Sequence, residues 1–351
     1  MRLAFAAFPF FPLPPPGRVC GMLLLLGLCL CRVPAAAGQP PPQRFEYQQK
    51  HMGTLFRIIA YAPDSTQAHR AARAAFKRVA DLDRMLSDYL PDSELNRLSR
   101  TAGSGQWVPV SPDLWKLLRQ SVAIARKTRG AFDVTVGPYT HLWRRVRRQG
   151  TLPSPQALAQ ARRAVGYQHL AFHKKNHAVC LAVPDMQLDM GAIGKGYAVD
   201  EALEVLTKAG IRSALVDGGG NIVVSQAPPG SQGWQVSLQV PAPADSSRLI
   251  HLHLRNRAVA TSGDLYQYIL LDGIRYSHIL NPFTGLGLTD QSLVTILART
   301  GLEADWLSTA VSVLGPEAGL RLADRTRGAA ALFVRRQPGQ LQQWRSKRFT
   351  H

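Results

Sequence analysis

The chain has 351 residues, 46% of them hydrophobic, and 42 Lys and Arg against 23 Asp and Glu give a formal net charge of +19. That composition excludes a disordered chain and fits one large domain or two modest ones. The charge favours anionic partners or surfaces, but the basic residues stand in short scattered clusters such as Arg144/Arg145/Arg147/Arg148 without interleaved aromatics, so nucleic acid is not an expected partner.

Residues 1–37 read as a signal peptide. Arg18 precedes the apolar run Met22–Cys31, and Val33-Pro-Ala-Ala-Ala37 supplies small residues for cleavage after Ala37. The run is too short to span a bilayer as a helix. Export follows as an expectation, to the periplasm. Leu26-Gly-Leu-Cys29 loosely matches a lipidation signal, which would add a membrane tether. Cys20, Cys29 and Cys31 fall in this leader, which leaves Cys180 as the single cysteine of the mature chain and a small core residue.

Residues 38–49 are Pro/Gln-rich and read as a linker, followed by a domain over 50–340 and a basic tail, 341–351. Within the domain the first strand is expected at Thr54–Tyr61. A helix follows over Thr66–Leu86, with Phe76, Val79, Leu82 and Leu86 on one face. Ser111 and Pro112 start a second helix that stops near Gly130. Gly130–Pro138 reads as a loop, and Ser154-Pro155 starts a surface helix ending at Gly166. Strands at Leu170–His173 and Ala178–Val183 lead into Leu188–Asn221, where the sequence concentrates its chemistry.

In that stretch Asp189 ends an extended run, and Gly191, Gly194 and Gly196 bracket Lys195. A helix to Gly210, a strand at Ala214–Val216 and three glycines, Gly218–Gly220, complete it. Glycines let backbone N–H groups approach an anion, and a helix N-terminus favours one. The spacing is neither a Walker A loop nor the dinucleotide fingerprint. A phosphate-bearing ligand and tight helix–sheet packing therefore stand as alternatives here. Strands at Trp234–Val240, Leu249–Leu254, Ala258–Thr261, Tyr268–Leu271 and Ser292–Ala298, helices at Ala304–Leu314 and Pro316–Arg325, and a last strand at Ala330–Val334 give an α+β class with mostly antiparallel sheets and packed helices.

Two further groups carry chemistry. His278 stands on a strand before Asn281-Pro282, as a proton carrier or as a hydrogen-bonded structural residue. Asp305, Ser308 and Thr309 lie at i, i+3 and i+4 of a helix. Their oxygens suit Mg²⁺ completed by water and phosphate, or form a solvated face. A second imidazole at ligand spacing is missing, so zinc is not expected.

Met52-Gly-Thr54, Ser87-Asp-Tyr89, Gly130-Ala-Phe-Asp133, Leu188–Asp200, Gly218–Asn221, Ala260–Asp264, His278–Gly285 and Ala304–Thr309, in that order, resemble the ApbE family of flavin transferases (FAD:protein FMN transferases) from Met52 to about Glu317. The resemblance implies an ApbE-like fold and the transfer of FMN from FAD onto a Thr or Ser hydroxyl of an acceptor redox protein, with Mg²⁺ and release of AMP. It implies FAD contacts at Met52, Tyr89, Ala131, Phe132, Asp133, Asp189, Lys195 and Ile279. It places Mg²⁺ on Asp305, Ser308, Thr309 and the Ala192 carbonyl, and gives His278 a catalytic role. Tyr89 and Phe132 would offer apolar surface to the flavin or adenine. Ser308 stands where some members carry an acid, and Ser277 and Asn281-Pro-Phe283 depart from commoner His-His and Asp-Pro-Arg versions. Hydrolysis of FAD to FMN and AMP, or FAD binding without catalysis, are the competing functions.

Overall fold

The computed structural model describes residues 41–241, 247–263, 268–337 and 340–350. The leader 1–37 and Asp264 lie outside them.

The chain enters as an antiparallel hairpin, β1 (Gln43–His51) and β2 (Thr54–Ala62). The segment expected as a linker is therefore largely an edge strand. Only Phe45 and Tyr47 alternate as apolar residues among its polar ones, a pattern too sparse to read as a strand. Helix α1 (Ser65–Leu86) is capped by the Asp64 carboxylate, which accepts from the Gln67 N–H. The short α2 (Glu94–Ser99), β3 (Val108–Pro109) and α3 (Pro112–Lys127) follow. Helix α4 (Gly137–Gln149) was not expected. It starts on Val136, without a capping side chain, inside what reads as a Gly-Pro loop.

Next come α5 (Pro155–Arg163), β4 (Leu170–His173), β5 (Ala178–Leu181) and α6 (Gly194–Lys208). Strands β6 (Ser213–Gly218) and β7 (Asn221–Val224) flank the glycine turn. Strands β8 (Trp234–Pro241), β9 (Ser247–Leu254), β10 (Arg257–Gly263), β11 (Tyr268–Leu271), β12 (Ile274–Ser277) and β13 (Ser292–Ala298) precede α7 (Gly301–Arg325). Gly315, at φ 73°, breaks α7 into two helical pieces before Pro316. The chain ends in the hairpin β14 (Ala330–Gln337) and β15 (Gln340–Arg345).

Eight strands form one antiparallel sheet in the order β1-β2-β6-β7-β10-β13-β14-β15. Strand alternation sends side chains to two cores. Phe56, Ile58, Ala60, Ala214, Val216, Ala258 and Ala260 face the layer of α1, α6 and α7. Ile59, Leu215 and Val259 point the other way, under the β8–β9 hairpin and its Trp234, Val236 and Leu238. Cys180 is a buried free thiol.

The basic tail is also structured. Phe349 is buried against β14 residues. The Arg348 guanidinium donates to the carbonyls of Ala323, Asp324, Thr326 and Ala329 at the end of α7. Basic side chains suit a helix C-terminus, where carbonyls lack intrahelical donors. Among the described residues no helix is long and apolar enough to cross a membrane.

Candidate active site

Helices α6 and α7 cross at two glycines. A Cβ on Gly196 would lie 2.3 Å from the Gly301 carbonyl oxygen and 2.6 Å from Asp305 Cβ. Only glycine permits this approach, and it brings the Gly196 N–H to 2.8 Å from Asp305 Oδ2. Asp305 is 4% exposed. Burial pushes its carboxyl above the ordinary range, against the pull of the Lys195 charge, the Gly196 N–H and the Asn221 side chain. Lys195 Nζ donates to the Gly191 carbonyl at 3.2 Å. The Asp200 carboxylate fixes the start of α7 by accepting from Gly301 N at 2.6 Å and Leu302 N at 2.9 Å. Asp200 was not anticipated, although the sequence places it one helical turn beyond the glycine loop.

Asn221 opens β7 and is buried beside this crossing, with its Oδ1 lacking a partner. The preceding turn holds Gly219 at φ 67°, where a Cβ would meet Thr54 Oγ1 at 2.4 Å. Packing of Thr54 on that turn brings Met52 to the same end of the sheet. Met52 has φ 48°, and its N–H donates to Asp83 Oδ2 at 2.8 Å.

Ser308 does not present a free hydroxyl to a cation. Its Oγ donates to the Asp305 carbonyl at 2.8 Å and lies 2.7 Å from Ser262 Oγ. It ties α7 to β10 instead of standing free for Mg²⁺. Thr309, one residue on, is half-buried. The remaining oxygens are hard donors: the Asp305 carboxylate, the Thr309 hydroxyl and the Ala192 carbonyl, and the orphaned Asn221 Oδ1 is of the same kind. They fit a small divalent cation completed by water and phosphate. Among the described residues no group of three or more His, Cys, Asp or Glu is disposed to hold a metal. A cation here would accordingly rest on one carboxylate and neutral oxygens.

A second cluster shares the same loop. Asp189 Oδ1 accepts from Gly191 N at 2.7 Å, and Oδ2 accepts from Thr140 Oγ1 of α4 at 2.6 Å. Asp88 stands close by. Burial, and next the Asp189 charge, push its carboxyl up to about 6. Arg144 pairs with Asp88 and lays its guanidinium 3.9 Å from the centroid of the Tyr89 ring. Tyr89 is 73% exposed, a flat aromatic surface at the rim backed by a cation. Asp88 and Arg144 are additions to the expected set. Asp88 lies within the Ser87–Tyr89 block, whereas Arg144 is visible only once α4 exists.

The Ala131–Asp133 segment behaves differently from expectation. The Phe132 ring is 1% exposed and packs in the main core, so it offers no surface to a flavin or adenine. Ala131 is equally buried. Asp133 Oδ1 accepts from Thr135 N and Oγ1, and Oδ2 accepts from Tyr167 N at 2.9 Å. Burial raises its pKa. These three residues face inward, and a ligand would meet them through main-chain atoms.

His278 lies just past β12, not on it, and is exposed. Ser277 Oγ accepts from the N–H of the buried Ile279 at 3.0 Å, and Ser277 N donates to the Leu288 carbonyl. This loop is fastened to the second cluster. Trp143 Nε1 of α4 donates to the Gly285 carbonyl at 2.7 Å, and a Cβ on Gly130 would lie 3.5 Å from Phe283. A surface concavity of about 910 Å³ along α1 and β1 contains none of these residues. Residue chemistry, not cavity size, marks the site. A smaller one of about 320 Å³, lined by His141, Arg144, Arg145 and Arg148, borders it.

The family model described as the ApbE family matches residues 52–333. An FAD:protein FMN transferase of Klebsiella pneumoniae is 32% identical over 335 residues, 93% of this chain and 95% of that protein. Two solved structures are similar. The apo form of the Pseudomonas stutzeri flavinyl transferase ApbE has a TM-score of 0.77 at 30% identity, covering 88% of this chain and 96% of that one. The flavin transferase ApbE of Vibrio cholerae has a TM-score of 0.80 at 26% identity, covering 88% and 99%.

Proposed function

The chain belongs to the ApbE family of flavin transferases, and on that premise we propose that it moves FMN from FAD onto a Thr or Ser hydroxyl of an acceptor redox protein, with Mg²⁺, after export to the periplasm. The observation that carries the reading is the α6–α7 crossing. It sets a buried carboxylate, Asp305, against a glycine loop whose lysine and N–H groups suit a pyrophosphate.

The acceptor hydroxyl oxygen attacks the phosphorus next to the riboflavin half of FAD. The bond from that phosphorus to the bridging oxygen breaks, and AMP leaves with it. Lys195 and the loop N–H groups hold the pyrophosphate and offset its charge. Asp305, Thr309 and the Ala192 carbonyl would hold Mg²⁺, which supplies further charge neutralisation. His278, exposed at the site's edge, takes the proton from the hydroxyl. Tyr89, stiffened by Arg144, stacks on a ring of FAD. The leader 1–37 supports export, and lipidation at Cys29 would leave the enzyme on the membrane.

Incubation with FAD, Mg²⁺ and a candidate acceptor domain tests the proposal. A fluorescent covalent band, an FMN-sized mass adduct on Ser or Thr, and stoichiometric AMP are expected. AMP without an adduct would identify a hydrolase, and tight FAD binding without AMP a binding protein.

A further inference from the structure

We propose that Asn221 is a direct ligand of the cation at Asp305, through its side-chain Oδ1. The proposal rests on the metal-dependent reading above and extends it by a residue on a different element.

Asn221 is 6% exposed, and its Oδ1 is buried without a hydrogen-bond partner. Strand β7 packs against α7, and the Asn221 side chain acts on the Asp305 carboxyl as a favourable polar neighbour. A buried carbonyl oxygen thus stands beside a buried carboxylate. An unsatisfied buried acceptor is costly, and native structures rarely keep one without a reason. A divalent cation held by the Asp305 carboxylate and by Oδ1 would remove the cost, because an amide carbonyl is a good hard-oxygen ligand.

The backbone holds the oxygen in place. Asn221 is the first residue of β7, opposite Ala260 of β10, and follows the turn through Gly219 and Gly220, both at positive φ. Asp217 Oδ1 accepts from the Gly220 N–H at 2.9 Å and closes the turn. Asp305 arrives from α7, at its crossing with α6. The sheet and the helix layer would then each contribute one side-chain oxygen. The glycine turn would serve to aim an amide at the cation as well as to admit a ligand.

Binding of Mn²⁺ alone, followed by electron paramagnetic resonance with and without FAD, tests this on the mature protein. The series is wild type, Asn221→Leu, Asn221→Asp and Asp305→Ala. Asn221→Leu is expected to weaken Mn²⁺ binding about tenfold or more, and to abolish the rise in Tm that Mg²⁺ gives the wild type. Its Tm without metal should equal or exceed that of the wild type, because the orphaned oxygen is gone. Asn221→Asp separates ligation from mere positioning. It keeps an oxygen at the ligand position but loses the amide N–H groups. Ligation predicts that it retains Mn²⁺ binding, with a lower metal-free Tm from two adjacent carboxylates and a larger metal-induced shift. Mn²⁺ binding by a folded Asn221→Leu within about twofold of wild type, or loss of binding in Asn221→Asp equal to that in Asn221→Leu, overturns the inference. If wild type binds no Mn²⁺ in either condition, the metal-dependent reading itself fails. If wild type binds, Asp305→Ala does not and Asn221→Leu does, only the inference fails.

Discussion

Asp305 is a carboxylate held out of water with few protein donors, so its charge is an expense in the metal-free fold. Asp305→Ala should therefore lower FMN transfer by about 10²–10³ while leaving the metal-free Tm unchanged or slightly higher, as calorimetry would show. Asp200 is also buried, but it has two main-chain donors. Burial lifts its carboxyl to about 6, and the Gly301 and Leu302 N–H groups only partly oppose this. Its folded pKa exceeds its unfolded value near 3.8, so the native state binds the proton more tightly. The resulting stability is fully present below about pH 4 and is lost as pH rises through about 6. Urea titrations between those limits should show this slope, and Asp200→Asn should flatten it. Asp200→Ala leaves two buried N–H groups without an acceptor and should cost about 1–3 kcal/mol. Among single residues, the sequence located Asp305, Lys195, Asp189 and Tyr89 in one neighbourhood, because each stands in a block with recognisable company. It could not tell that Phe132 points into the core, nor that the Ser308 hydroxyl is bound to Ser262. Side-chain direction depends on packing from distant parts of the chain.

At the scale of elements, the α6–α7 crossing sets the site's geometry. Gly196→Ala puts a methyl against the Gly301 carbonyl and Asp305 Cβ, so α7 must move away. The expected outcome is a folded protein, Tm lower by several degrees, whose transfer activity falls much further than its stability. Comparing the melting curve with the rate of AMP release checks this. Helices with a polar cap and a clear apolar stripe, such as α1 and α3, were legible from sequence. Helix α4 was not, since it has no side-chain cap and begins at Gly137-Pro138 in a loop-like run. Yet α4 carries Thr140, Trp143 and Arg144, which join Asp189, the His278 loop and Tyr89. The missed helix is thus the one that holds the second half of the site together.

Across the whole molecule, the two segments read as linker and tail are the two edges of the main sheet. Both β1 and β15 are polar strands, and an edge needs little apolar content because one side faces water. Their role depends on partners far along the chain, which local composition does not encode. Arg348→Ala removes a donor shared by four carbonyls at the end of α7 and is expected to lower stability by about 1.5–3 kcal/mol. Denaturant titration with unchanged Kd for FAD would confirm a purely structural role.

The order of the main sheet follows the order of the sequence, from β1 to β15 without a reversal. Each strand adds to the edge left by the one before it, so the sheet can be laid down in the direction in which the chain is synthesised or threaded through a membrane. The loop with Lys195 and the turn before Asn221 can form early in that process. Asp305 emerges only after β13, when six of the eight strands are already in place. A partly emerged chain thus has the Lys195 loop and the glycine turn and lacks the Asp305 carboxylate. On the proposed metal-dependent reading, capture of the cation, and with it any consumption of FAD, would be deferred until the chain is almost complete.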